Sequence, residues 1–382
     1  MVFFLKREYT KIPTFLKFKN KDNISYLGKI GYIHFKSQFK FVFKSYHPNM
    51  SLKSHHNPNK NSLVVTHEFD DIDLFTEALK PLTIVANQTS PGLFKGKINH
   101  FRFSGLQFTS ISQNQSLYAK GPKSSCDRTF AITFQSRQTS VIAHGIAVKK
   151  SDLFGFDLVR PVDVIVEKDT QIVLANVNLQ AFESLAEKMG YEGFEFMQNN
   201  LVSAHPATFR YLREYYGQIS QLLAEKPELI GKAPFQALIR QDFLPLLLDT
   251  LGAISRRNQK VKKPFRRYSL VKKALEIALS FPEQPLTLEQ LCNKLETSSS
   301  ALAYGFQDIF GLSPIAYIKI QRLNGVRRLL KRADPKTTTV MQVAQQWGFW
   351  SFSHFARDYK KMFGELPSQT LQKGVFNSLK KL

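Results

Sequence analysis

The chain has 382 residues, more than one hydrophobic core usually organises, and this predicts two or three domains. Its hydrophobic share is that of a globular protein, and no run approaches the roughly 18 consecutive apolar residues that span a bilayer, so a soluble, cytoplasmic protein without a membrane partner is expected. The net charge of +23 lies at the two ends: residues 1–60 hold 12 Lys and Arg against 2 Asp and Glu, residues 61–260 hold 21 against 20, and residues 261–382 hold 20 against 8. Basic ends flanking a neutral middle point to a polyanionic partner, because lysines and arginines that displace condensed counterions supply most non-specific affinity for nucleic acid.

In chain order, residues 1–60 are rich in Lys and Phe without a sustained period, and read as a basic arm of uncertain fold. The opening twenty residues intersperse Lys6, Arg7, Lys11, Lys17 and Lys19 among apolar positions, unlike a secretory signal with its unbroken apolar stretch. Residues 61–178 read as a β-rich domain: short alternating or apolar runs at 100–108, 129–134, 139–148, 162–166 and 170–175 are separated by Gly, Pro, Ser, Asn and Asp. From Leu179 the period becomes helical, with Phe182, Leu185, Ala186 and later Phe209, Leu212, Tyr216, Ile219, Leu222 and Leu223 at helical spacing. Residues 179–255 are therefore expected to be helical, and the basic run at 256–265 to be a linker.

Beyond the linker, residues 266–382 read as an all-α domain built on an internal duplication. Leu302, Phe306, Ile309 and Phe310 form the apolar stripe of a short helix, and Phe355, Tyr359, Met362 and Phe363 repeat it 53 residues later. Gly311 and Pro314 recur as Gly364 and Pro367, as expected of a glycine that ends a helix and a proline that opens the next. Upstream of each stripe a second helix is marked by Leu288, Leu291, Cys292 and Leu295, and by Val340, Val343, Ala344 and Trp347, at an offset of 52. Each copy is thus a helix-turn-helix, at 287–310 and 339–363, with Thr287, Ser298 or Ser299, and Thr338 or Thr339 available as caps and Gly348 for positive φ in the second turn.

The side of each second helix opposite its stripe carries Ser300, Tyr304 and Gln307 in the first copy and Ser353, Arg357 and Lys360 in the second. In a helix-turn-helix protein that side lies in the major groove, where Arg pairs with guanine, Gln with adenine, and Ser and His with several bases. Lys319, Arg322, Lys360 and Lys361 are the candidate phosphate contacts. Arg327, Arg328, Lys331 and Arg332 have a structural alternative as cations near a helix C-terminus.

Three segments, FQDIFGLSP at 306–314, RLNGVRRLL at 322–330 and VAQQWGFWSFSHFARDYKKMFGELP at 343–367, resemble the DNA-binding domain of the AraC/XylS family. Within it, the runs at 346–350 and 367–371 are most similar to the branch of ethanolamine-utilisation operon activators. The resemblance implies an α+β multidomain protein: an N-terminal β-rich, cupin-like sensor domain with a helical dimerisation segment, and a C-terminal all-α domain with two helix-turn-helix units. It implies a homodimeric transcription regulator, usually an activator, nucleoid-associated, with double-stranded DNA and RNA polymerase as partners and a small-molecule effector. It also implies base contacts at Ser300, Ala303, Tyr304, Ser353, His354 and Arg357. Ser300 and Tyr304 stand where many relatives carry Arg, so the operator sequence does not carry over.

Other chemistry is thinly represented. Cys126 and Cys292 are isolated from each other and from metal-ligand spacing, His100 and His144 stand singly on predicted strands, and no phosphate-binding, dinucleotide or zinc-protease motif occurs. No catalytic residue, metal or cofactor is therefore expected. The competing reading makes the middle region an interaction or catalytic module fused to a DNA anchor. A buried cavity between the strands favours a sensor, and an open cluster of carboxylates or histidines favours the alternative.

Overall fold

The computed structural model describes residues 63–79, 82–103, 105–123, 126–134, 141–191, 200–204, 206–255 and 262–379. The basic arm at 1–60 and most of the expected linker, 256–261, lie outside the described residues.

An N-terminal β-rich domain is followed by a C-terminal helical domain. Its strands are β1 Leu63–Phe69, β2 Val85–Gln88, β3 Gly96–Phe103, β4 Leu106–Gln113, β5 Leu117–Gly121, β6 Asp127–Phe134, β7 Val141–Ala143, β8 Ile146–Ala147, β9 Asp152–Phe154, β10 Val162–Val166, β11 Thr170–Asn178 and β12 Leu201–Ser203. They form a seven-stranded sheet, β1-β3-β4-β11-β6-β9-β12, and a five-stranded sheet, β2-β5-β10-β7-β8. Two of the expected strands divide. The run at 100–108 is a hairpin that reverses between Phe103 and Leu106 with Gly105 at φ +77°, and the described part of 139–148 is a hairpin with His144 and Gly145 at its tip. Apolar runs continue through such tight turns, so hydrophobicity alone does not reveal the reversal.

The larger sheet is buried on both sides. Its inner residues, including Ile98, Ile111, Ala131, Phe154 and Leu174, meet Leu117, Ala119, Val141 and Val166 of the smaller sheet and Ile72 and Phe75 of the short helix α1, Ile72–Glu77. Its outer residues, including Phe101, Phe108, Phe130 and Val173, pack on α2 Leu179–Lys188, α3 Pro206–Glu225, α4 Pro227–Ile230 and α5 Ala233–Ser255. Phe108 is central there, fully buried with its ring edge-on to Phe243 at 4.6 Å and to Tyr216 at 5.7 Å. The Tyr216 hydroxyl donates to the Phe130 carbonyl at 2.9 Å, so its burial leaves no polar atom unpaired.

The C-terminal domain starts at α6, Tyr268–Ser280, slightly later than Arg266, and continues with α7 Leu288–Leu295, α8 Ser299–Phe310, α9 Pro314–Arg332, α10 Val340–Gln346, α11 Phe352–Phe363 and α12 Pro367–Leu379. Helices α6 to α8 and the first turns of α9 share one core with Leu291, Leu302, Phe306 and Tyr317 at its centre. The rest of α9 shares a second core with α10 to α12, centred on Val326, Phe355 and Tyr359. Tyr118 of β5 and Ile165 of β10, on the outer face of the smaller sheet, belong to the first of these cores, so the helical domain rests directly on the β domain. Among the described residues no helix is long and apolar enough to cross a membrane.

Truncating Phe108 removes a buried ring from three elements at once. The Phe108→Ala chain should lose about 3 to 5 kcal/mol of stability, read as a lower denaturant midpoint followed by circular dichroism.

Candidate nucleic-acid interface

The two helix pairs, α7 with α8 and α10 with α11, are built by the same local chemistry. Thr287 and Thr339 each accept from the backbone N–H three residues on at 3.2 Å, while Gln290 and Gln342 reach back to the cap N–H at 2.9 and 2.8 Å. These are capping boxes, and each pairs two orphan donors of a helix start. The first helix of each pair then ends in a left-handed residue, Glu296 at φ +50° and Gly348 at φ +67°, and the following N–H bonds back, Thr297 to Cys292 at 3.1 Å and Phe349 to Ala344 at 3.0 Å. Ser298 and Ser351 precede the second helices, which terminate at Gly311 and Gly364 with φ +66° and +71°.

These equivalences locate the residue by which the copies differ. Thr297 matches Phe349 and Ser298 matches Ser351, so Trp350 is an insertion in the second turn, and it stands 69% exposed. Sequence periodicity gives the change of offset but not the position of the extra residue. The turn geometry does.

Each apolar stripe is buried: Leu302, Phe306 and Ile309 in α8, and Phe355, Tyr359, Met362 and Phe363 in α11. The opposite sides face solvent. Ser300, Tyr304 and Gln307 are exposed and Ala303 is half-exposed on α8, while Ser353, His354, Arg357, Lys360 and Lys361 are exposed on or beside the outer face of α11. The Arg267 guanidinium lies over the Tyr304 ring at 5.5 Å, adding a cation to the α8 surface. Ser351 and His354 Nδ1 are hydrogen-bonded at 2.9 Å across the start of α11. Lys319 reaches from α9 to the Asp358 carboxylate of α11 at 2.9 Å and is still 45% exposed, a surface pair of small worth that leaves the cation within reach of a phosphate.

Arg322 is a correction. Expected on phosphate, it is only 8% exposed, donates through Nε to the Trp347 carbonyl at 2.7 Å, makes a second bond to the same oxygen through Nη2, and lies 4.5 Å from the centre of the Phe349 ring. Burial lowers its guanidinium to about 10, and the carbonyl it bonds is one of those left open at the end of α10. Arg322 therefore fixes the second turn from inside.

Arg327 and Lys331, one turn apart on α9, also have partners that their spacing does not announce. Arg327 pairs with Asp71 at 3.2 Å and Glu365 at 3.3 Å, and Lys331 with Asp71 at 2.5 Å and Asp73 at 2.6 Å. Burial alone would raise the Asp71 carboxyl, but Lys331 and Arg327 beside it hold it below the usual carboxylate range. Next to this cluster the Asn324 side chain exchanges two hydrogen bonds with the Gln88 backbone, at 3.0 and 2.8 Å. The Met362 carbonyl at the end of α11 accepts from Gly92 N–H and Gln88 Nε2, both at 3.0 Å. The β domain thus grips sides of α9 and α11 away from the outward polar faces.

Residues 291–373 match a family described as the helix-turn-helix domain. A probable thc operon regulatory protein of Rhodococcus erythropolis is 37% identical over 103 residues, 27% of this chain and 31% of that protein. The XylDLEGF operon transcriptional activator 2 of Pseudomonas putida is 34% identical over 89 residues, 23% of this chain and 57% of that one. Residues 291–373 form a helix-turn-helix domain. The chain thus spans less than two thirds of the length of either relative, and the matched part is this domain. A solved structure, the AraC-like transcriptional activator CuxR, aligns over 68% of this chain and 94% of its own at 14% identity and a TM-score of 0.37.

Because Arg322 acts inside the helix-turn-helix domain, Arg322→Ala should lower stability by about 1 to 3 kcal/mol, the cost of leaving a buried carbonyl without its donor. The folded fraction should keep the wild-type dependence of DNA affinity on salt, whereas removing a phosphate contact would reduce the slope by about 1. Gel-shift titrations between low and moderate salt measure this directly.

Proposed function

We propose that the protein is a sequence-specific DNA-binding transcription regulator of the AraC/XylS type, an activator whose N-terminal domain responds to a small-molecule effector. The observation that carries this reading is the paired outward face: two helices with equivalent apolar stripes turned in and equivalent polar residues turned out, on a basic domain. Both helix pairs act as helix-turn-helix units, with α8 and α11 in adjacent major-groove segments. Ser300, Ala303, Tyr304, Gln307, Ser353, His354 and Arg357 read bases, and Lys319, Lys360 and Lys361 contact phosphates. Trp350, exposed beside the start of α11, packs against the sugar-phosphate edge. Two such units one duplex turn apart read a site of about 20 base pairs.

The rest of the reading follows the same domain plan. Residues 61–178 are the sensor, cupin-like in role, and helices 179–255 are the surface through which two chains form a homodimer. The two basic ends suit a cytoplasmic, nucleoid-associated protein that recruits RNA polymerase. Similarity to the ethanolamine-utilisation branch is carried by the runs at 346–350 and 367–371, by Asp358 and Tyr359, and by the segments at 291–295 and 91–96. A cavity between the two sheets, lined mainly by apolar side chains, supports the sensor over the fused-module alternative.

Selection from a random-duplex pool followed by gel shift tests the reading. The full chain should enrich one sequence, and Arg357→Ala should weaken that sequence by about 1 to 3 kcal/mol while relaxing base preference. An equal loss on selected and random DNA removes the base-reading role of Arg357, and absence of any enriched sequence removes the regulator. Both tryptophans lie in or beside the second turn, so binding should also change tryptophan emission, and Trp350→Phe should abolish most of that change. Sedimentation with and without DNA at micromolar concentration tests the dimer.

A further inference from the structure

The space between the two sheets is a cavity of about 110 Å³. Phe75, Leu79, Ala86, Leu117, Val164 and Leu174 make its apolar walls, and Lys123, His144 and Asn200 add a polar corner. None of these three is explained by the DNA interface, and His144 stood out in the sequence only as an isolated histidine.

Two features of the corner call for an anion. The Lys123 ammonium donates to the Asp157 carbonyl at 2.6 Å and to Asn200 Oδ1 at 2.9 Å, both neutral acceptors, which leaves a third N–H. The nearby Asp157 carboxylate is already engaged by Arg160 and by the N–H groups of Val159 and Arg160, so among the described residues Lys123 has no carboxylate of its own. His144 Nε2 is buried and without a hydrogen-bond partner among the described residues. Burial pushes Lys123 down to about 8 and His144 down to about 4, outweighing the nearby Asp157 carboxylate at both and Asp163 at His144. His144 also holds the left-handed conformation at φ +49°, where a non-glycine residue is uncommon and is retained when its neighbours demand it.

We infer that this cavity binds a small apolar monocarboxylate, its carboxylate taken by Lys123 and His144 and its apolar body by the walls of the two sheets. Size sets the upper limit on the body. An apolar cavity of about 150 Å³ holds benzene, and this one is smaller, so the body is no larger than one ring or a chain of about six carbons, with the carboxylate in the polar corner. Neutral His144 can donate Nε2–H to the carboxylate, and the free Lys123 N–H supplies the charge-assisted bond. The assignment rests on the sensor reading above and gives that sensor its ligand class.

The polar corner also abuts the helical domain. Gly145, next to His144, accepts from Phe265 N–H at 2.8 Å, and at φ +73° its Cα lies so close to the Tyr268 ring that an added Cβ would fall 2.3 Å from it. On β10, Val162 and Val164 line the cavity while Asp163 between them turns outward to the Tyr268 hydroxyl and to Lys272 at 2.8 Å. A ligand that moves His144 or β10 therefore moves the seat of α6.

Titration calorimetry on the full chain, with benzoate and hexanoate against benzamide and hexanamide, tests the assignment. One carboxylate should bind per chain, with the matching amide at least tenfold weaker. Lys123→Met should bring the carboxylate to the affinity of the amide in the fraction that remains folded, and His144→Asn, which tolerates the left-handed backbone, should weaken it in the same direction. Equal binding of acid and amide, no binding of either acid by the folded chain, or an unchanged Lys123→Met would overturn the site. Benzoate should also shift the emission of the two tryptophans in the absence of DNA, and binding without that shift would remove the route through α6. Specific DNA binding without carboxylate binding sinks the cavity alone, whereas carboxylate binding without an enriched DNA sequence sinks the regulator alone.

Discussion

The burial of α9 is the constraint on which the rest of the molecule depends. Tyr317, Val326 and Leu330 on this helix are fully buried, and so nearly are the polar Gln321, Arg322 and Asn324. An ordinary surface helix hides one stripe. This one is enclosed because one end completes the core of the first helix pair, the other completes the core of the second, and a third side lies along β2. With α9 fixed in this way, α8 and α11 turn their remaining sides to solvent. Gly325 shows how close the packing is: the Trp347 ring lies where a Cβ would stand, 2.1 Å from it, so a residue that ordinarily weakens a helix by about 1 kcal/mol is required for the second pair to close on α9.

The contact between the domains has a different character from the cores it joins. At β2 it consists of amide, carboxylate and guanidinium groups: Asn87 with Gln321 and Arg328, Gln88 with Asn324, and Asp71 with Arg327 and Lys331. Buried polar groups of this kind add little net stability when paired and cost much when unpaired. What they provide is register. A one-turn slip of α9 along β2 would leave Gln88 N–H, the Asn324 side chain and the Met362 carbonyl without partners together. The arrangement holds α11 at a defined angle to the β domain while keeping bonds that water could replace if the domains part.

The sequence makes the helical domain legible because its signals are local. A stripe at i, i+4, i+7 and i+8, a threonine at the start of each first helix, and a glycine closing each second helix all act within a few residues, and their recurrence at offsets of 52 and 53 reinforces each. What escaped the sequence depends on partners far along the chain. Gln88 and Asn324 are 236 residues apart, and nothing near Arg322 announces that its guanidinium turns inward to Trp347. A charged residue in a basic domain reads as a surface group until the carbonyl it bonds is located. The divided runs at 100–108 and 139–148 failed for the converse reason, since their turns are short and flanked by residues as apolar as the strands.

The cavity and the helical domain are also linked by the alternation inherent in a strand. On β10 successive side chains face opposite ways, so Val162 and Val164 face the cavity while Asp163 faces Tyr268 and Lys272. Burial and the adjacent Asp163 together raise the Tyr268 hydroxyl well above its ordinary value, so it remains a donor to that carboxylate across the physiological range. The wall of the cavity and the seat of the helical domain are then a single strand seen from its two sides. Any shift of β10 large enough to admit a ligand body must be matched by the bonds from Asp163 to α6 or break them. No long relay separates the cavity from the helical domain, because neighbouring residues of one strand face the two.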